Sequence, residues 1–240
     1  MRKTPLLLFI LLFTTASGAT SLRDAASQGA SSIAWKIRTR GVSICCCREG
    51  QGWNESDRNR IEYRDILLIA SLQGRKVTDL RMVEPNCPLD AGVRMLPDVT
   101  AGESIDFVIE HLGDPSDEGR LVAALAMHDH PRVIPALIEL ERHHADSDIR
   151  RHALFWLGQR AGEKAAGELR RAVDEDPEDD VREHAVFAIS QLPRERAVPM
   201  LIDLVKHHKR PRVRQRAMFW LAESGDPRAM DLIEEILGTR

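Results

Sequence analysis

Aromatic residues are scarce in this chain, with four Trp, one Tyr and six Phe among 240 residues. Long apolar runs are scarcer still. The stretch from Pro5 to Phe13 is too short to cross a bilayer as a helix, so the protein is not read as membrane-embedded. Cys-x-x-Cys spacing ahead of a helix, which lowers thiol pKa in redox proteins, is missing. So are a Gly-rich phosphate loop, paired catalytic acids and a Ser/His/Asp constellation. Positive charge is not in excess either: 34 Lys and Arg face 37 Asp and Glu, for a net charge of −3. Such a balance does not draw a protein to nucleic acid or anionic membranes. These absences point away from catalysis and towards binding, with no cofactor and no metal expected. The chain is 43% hydrophobic and 30% charged, the balance of a globular protein of one or two domains with many surface ion pairs.

Residues 1–19 have a different grammar. Arg2 and Lys3 precede the apolar run, and the small residues Ala16-Ser17-Gly18-Ala19 follow it, in the order of a secretory signal peptide. Cleavage after Gly18 or Ala19 would export the protein to the periplasm or beyond the cell and, by removing Arg2 and Lys3, take the net charge from −3 to −5. No Cys follows the run to signal a lipid anchor. Export permits disulfides. The four cysteines, Cys45, Cys46, Cys47 and Cys87, allow three full pairings, and spacing does not choose among them. On a strand, Cys45 and Cys47 would share a face and Cys46 would take the other. A single bridge from the triplet to Cys87 is the simplest arrangement, with the remaining thiols paired together, metal-bound or free.

Residues 20–32 are rich in Ala, Ser and Gly and read as a linker. From Ile33 the period is two: Ile33, Trp35, Ile37 and Thr39 alternate with Ala34, Lys36, Arg38 and Arg40, as in a half-buried strand. The apolar runs 66–72 and 76–83 flank Gln73-Gly74-Arg75, a hairpin signal. Residues 33–99 are therefore expected to form a small β-rich module of three to five strands, with the Pro-rich stretch 84–97 wrapped back over it. At Thr100 the period changes to three and four. Thr100-Ala101-Gly102-Glu103 has the form of a capping box, and Ile105, Val108, Ile109 and Leu112 make one apolar face before Gly113.

One phrase then recurs. Ile149-Arg150-Arg151-His152-Ala153-Leu154-Phe155-Trp156-Leu157 returns as Val181 to Ile189 and again as Val213 to Leu221, each time after 32 residues. A second segment keeps the spacing: Ala165, Leu169 and Val173, then Ala197, Leu201 and Val205, then Ala229, Ile233 and Leu237. Repeats of this length are paired helices that bury their apolar sides only by stacking. The apolar-Arg-x-x-Ala phrase and its helix-turn-helix content resemble the HEAT repeat family, in its short variety, over residues 146–240. The resemblance implies a mostly α chain: a right-handed α-α superhelix over 100–240, built of a capping helix and about four hairpins, used to bind a protein partner. Export and repeat type together suggest a bacterial source.

The resemblance also implies a ladder in which Arg150, Arg182 and Arg214 stack with aspartates from the preceding loops, Asp148 and Asp180. Phe155, Phe187 and Phe219 form a column roughly 240° around the helix from Ile149, either packed between neighbouring first helices or standing out as a partner-binding ridge. The second helices begin with a basic column, Arg132, Lys164, Arg196 and Arg228. Cations there oppose the helix dipole, which suggests salt bridges or a partner's acids. The acidic loop 174–180 and the basic loop 207–212 are one period apart; they either neutralise each other or leave the segment 207–216 to an anionic partner. Nucleic acid is disfavoured in that role, because no aromatics interleave the basic loop. Short repeats also build di-iron hydroxylases, whose ligands are His-Glu pairs. Here Arg151-His152 and Glu183-His184 stand in those places, with the order wrong and too few acids for two iron ions.

Overall fold

The computed structural model describes residues 21–42, 63–113, 118–160 and 163–238. The signal segment 1–19 and the triplet Cys45, Cys46 and Cys47 lie outside the described residues.

The stretch read as a linker instead carries a short helix, α1 (Leu22–Ser27), whose amide end is capped by the Ser21 hydroxyl. Leu22 and Ala25 are fully buried. Small residues read as flexible because they carry little apolar surface, but Leu22 supplies an anchor that composition conceals. The strands β1 (Ser32–Val42), β2 (Tyr63–Gln73), β3 (Lys76–Val83) and β4 (Arg94–Met95) form one sheet in the order β3-β2-β1-β4. The first two pairings are antiparallel, and the β2–β3 hairpin turns at Gly74, whose φ of 65° is left-handed. β4 joins the opposite edge in parallel with β1, so the chain from 84 to 93 must cross the sheet face. The crossing makes a second core: Ala34, Leu67, Ile69 and Val83 are closed over by Cys87, Leu89 and Val93. The other face, with Ile33, Trp35, Ile66, Leu68 and Leu80, packs into the helical core.

The helices follow in antiparallel order. A capping helix, α2 (Ala101–Glu110), starts at Thr100, whose side chain accepts the Glu103 amide. Glu103 does not fold back to complete the capping box; its carboxylate accepts the Leu22 amide at 2.6 Å and so ties α1 to α2. Four hairpins come next: α3 (Glu118–Met127) with α4 (Val133–His143), α5 (Ser147–Arg160) with α6 (Glu163–Glu175), α7 (Asp179–Ser190) with α8 (Arg194–His207), and α9 (Pro211–Glu223) with α10 (Pro227–Leu237). First helices stack in the row α3, α5, α7, α9. Ile149, Ala153 and Leu157 point into this stack with no exposed surface, and so does Leu154, while Trp156 is only half-buried. A first helix touches its own partner helix and both neighbouring first helices, so its buried arc is wider than a single stripe.

The sheet covers the front of this row, with α2 and α3 packed on β1 and α3 also on β3. At the joint, Trp35 Nε1–H donates to the Ser104 hydroxyl oxygen at 2.7 Å, and Ser104 lies 2.8 Å from His128 Nε2. His128 Nδ1 is 2.8 Å from the Ala124 carbonyl. A carbonyl only accepts, so Nδ1 carries the proton and Nε2 receives the serine hydroxyl. All three side chains are fully enclosed.

Candidate functional site

The three-residue loops before α5, α7 and α9 are built the same way. The side chains of His144, Asp176 and His208, 32 residues apart, each accept the backbone N–H two residues on, at 3.1, 2.9 and 3.2 Å. The carbonyls of the same three residues accept Arg150, Arg182 and Arg214. The arginine row therefore exists, but its acids are not Asp148 and Asp180. Arg150 forks onto Asp176 of the following loop at 2.9 and 3.1 Å, with both groups nearly enclosed, and Arg182 pairs with Asp179. Two residues along a helix is a turn of about 200°, so Asp148 faces away from Arg150 and pairs with Arg151. Arg214 has carbonyl partners only among the described contacts.

The basic column is likewise paired within the chain, at the surface. Arg132 meets Asp106 at 2.5 Å, and Arg228 grips both oxygens of Asp226, whose pKa falls to about 2 because of that contact. Arg196 is engaged as well, and Lys164 lies in α6 with its side chain outside the description. As for the acidic and basic loops, Arg216 reaches Glu183 at 2.8 Å, Arg212 lies within 3.9 Å of Glu183, and His208 lies 3.3 Å from Asp174. Arg212 and Arg216 are thus met by acids of the preceding hairpin.

The phenylalanine column has another shape. Phe155 and Phe187 stack with ring centroids 6.2 Å apart, and Trp220 closes on Phe187 at 4.9 Å. Trp156 sits edge-on to Phe155 at 5.2 Å, and Phe219 edge-on to Trp220 at 4.9 Å. The outcome combines both expectations: the rings pack between first helices and still reach the surface. Five rings run unbroken across α5, α7 and α9, with Phe219 the most open at 49% exposed. The tryptophans belong to this stripe as well. Their signal was visible, since Trp156 and Trp220 hold the same place in the repeat.

Beside the stripe lies an open groove of about 440 Å³, lined by Arg151, Asp180, Glu183, His184, Phe187 and Trp220. Two enclosed polar atoms here, His184 Nε2 and Trp220 Nε1, have no hydrogen-bond partner among the described residues. Leaving such an atom unpaired costs about 1–3 kcal/mol. Burial, with Arg151 and His152 nearby, lowers the His184 pKa to about 4, so the imidazole is neutral at pH 7. The Arg151 guanidinium makes this a poor seat for a metal cation. Among the described residues no three His, Cys, Asp or Glu side chains gather as metal ligands.

Two further features escaped the sequence reading. Glu141 is a buried acid held by Arg171 at 2.5 Å, and burial still raises its pKa. Its signal was the 32-residue register, in which Glu141 falls where Val173 and Val205 stand. The other is the Ser104–His128 pair, which has the outline of a nucleophile and base. It is sealed in the joint with Trp35, out of reach of any substrate.

A search of curated proteins returns no match to this sequence. The family model for HEAT repeats matches residues 105–190 and 172–240, which together span more than half of the chain. With paired helices stacked at a constant spacing and an arginine-to-loop bond recurring in the last three hairpins, the chain belongs to the HEAT repeat family.

Proposed function

We propose that this protein is an exported, non-enzymatic scaffold that holds a partner protein against the outer face of its first helices. HEAT repeats generally mediate protein–protein interaction. The observation that carries the reading is the five-ring stripe, open to solvent at Phe219, beside the groove. The chain has eleven aromatic residues, and five lie in this stripe. Aromatic rings with nearby hydrogen-bonding groups are the usual anchors of protein interfaces. Phe155, Phe187 and Phe219 take the anchoring role, joined by Trp156 and Trp220; the basic column is withdrawn from it.

Export accords with the folded part. Ser21 already caps α1, so removal of residues 1–18 or 1–19 leaves every described element intact. The proposal includes a disulfide at Cys87 that ties the crossing segment over the second sheet core to one member of the triplet Cys45, Cys46 and Cys47.

Phe219→Ser is the discriminating variant, because a half-exposed side chain can be lost without unfolding the array. Affinity capture from the envelope fraction is expected to recover one protein at a fixed ratio with the unaltered chain and at least tenfold less with the variant. Equal recovery by both would overturn the docking site. The captured chain should begin at Ala19 or Thr20; an intact N-terminus would overturn export.

A further inference from the structure

The second helices α4, α6, α8 and α10 meet through charged pairs whose sign changes at one place of the repeat. Between α4 and α6, Arg171 donates to both oxygens of Glu141 at 2.6 and 2.5 Å, and Arg142 donates to Glu168 at 2.6 Å. Between α6 and α8 the pair is Arg170 with Asp203, and between α8 and α10 it is Lys206 with Glu235 at 2.9 Å. The reversal is written in the register. One and two periods after Arg171 stand Asp203 and Glu235, while one and two periods after Glu141 stand Val173 and Val205. The place is thus basic in the second hairpin and acidic in the third and fourth.

Glu141 is 1% exposed, and burial raises its pKa even with the Arg171 guanidinium beside it. An enclosed carboxylate deprived of its partner is costly. Were α8 or α10 to lie against α4, Asp203 or Glu235 would stand where Arg171 stands, and Met200 or Leu232 would replace Glu168, the acceptor for Arg142. Two carboxylates would then share a closed contact. The first helices make no such distinction. α5, α7 and α9 carry one apolar phrase, so apolar packing by itself would let any of them stack on α3. Arrays of this kind grow by neighbour contacts that can start anywhere, which makes a wrongly ordered stack a competitor of the native one. Discrimination comes from what the wrong partner would bury. We infer that the Glu141–Arg171 pair sets the order of the array: it admits the second hairpin behind the first and rejects the third and fourth.

Urea unfolding of the full chain tests this. Glu141→Val gives α4 the residue that α6 and α8 carry, and should leave the folding equilibrium constant within about tenfold of the unaltered chain, since a buried pair adds little over apolar packing. Arg171→Asp gives α6 the charge that α8 carries, and should lower the constant about a hundredfold, well beyond the effect of Arg171→Ala. In the Glu141→Val background, Asp and Ala at this place should cost the same to within about threefold. Asp no worse than Ala beside Glu141 would overturn the inference. So would an excess cost of Asp that survives Glu141→Val. Refolding gives a second readout that needs only Glu141→Val. On removal of urea this variant should leave about tenfold more chain in mis-stacked species, separated from the native form by size exclusion, than the unaltered protein does. Equal native yields from the two chains would overturn the order-setting role.

Discussion

The two ends of the helical array solve the same problem differently. Each end of a repeat stack leaves an apolar face that interior layers would have buried. At the front, β1 and α1 supply the missing layer, with Trp35 and Phe107 edge-on at 5.5 Å and the Trp35–Ser104–His128 chain fixing the contact. At the back, Met230 and Ile236 stay in the open. The difference teaches that stacking energy is cumulative along such an array: a hairpin is secured by what covers it, so the covered end should tolerate little and the open end much.

The sharpest way to break the comparison is Trp35→Ala. It removes a fully buried ring and orphans one hydrogen bond of the joint, and a loss of about 3–5 kcal/mol is expected in urea unfolding. A loss below about 1 kcal/mol would mean that the sheet is not what secures the front. The next largest effect is one of pH. Burial lowers the His128 pKa from its ordinary 6.5 to about 4, so the unfolded chain binds its proton first. Stability from this group is complete above about pH 6.5 and is lost as pH falls towards 4, by about 3 kcal/mol in all. His184 titrates in the same sense. Urea midpoints measured from pH 7.5 to 4 should fall, and should fall less steeply in His128→Gln. Smallest of all, Met230→Ser is expected to change the unfolding free energy of the single chain by less than about 0.5 kcal/mol. A cost comparable to that at Trp35 would show the open end to be as tightly held as the covered one.

Much of the array was legible because repetition is a strong signal. The recurring phrase placed α5, α7 and α9 and their second helices, and Thr100 and Gly113 marked both ends of α2. Partners were harder to see. Asp176 replaces Asp148 as the acid for Arg150 because a forward loop is nearer in space than a residue two steps back on the same helix. Arg132 and Arg228 looked available by position and are spent on Asp106 and Asp226. The linker reading of residues 20–32 failed at Leu22, where one apolar side chain and the Glu103 carboxylate outweigh a flexible composition.

By itself the sequence determined that helices pair every 32 residues and that a period-two module precedes them, because apolar spacing is written locally along the chain. Which charges meet, which rings remain at the surface and which end stays bare were decided only in the folded chain. Those properties belong to distances between hairpins, and no local pattern encodes a distance that stacking has yet to create.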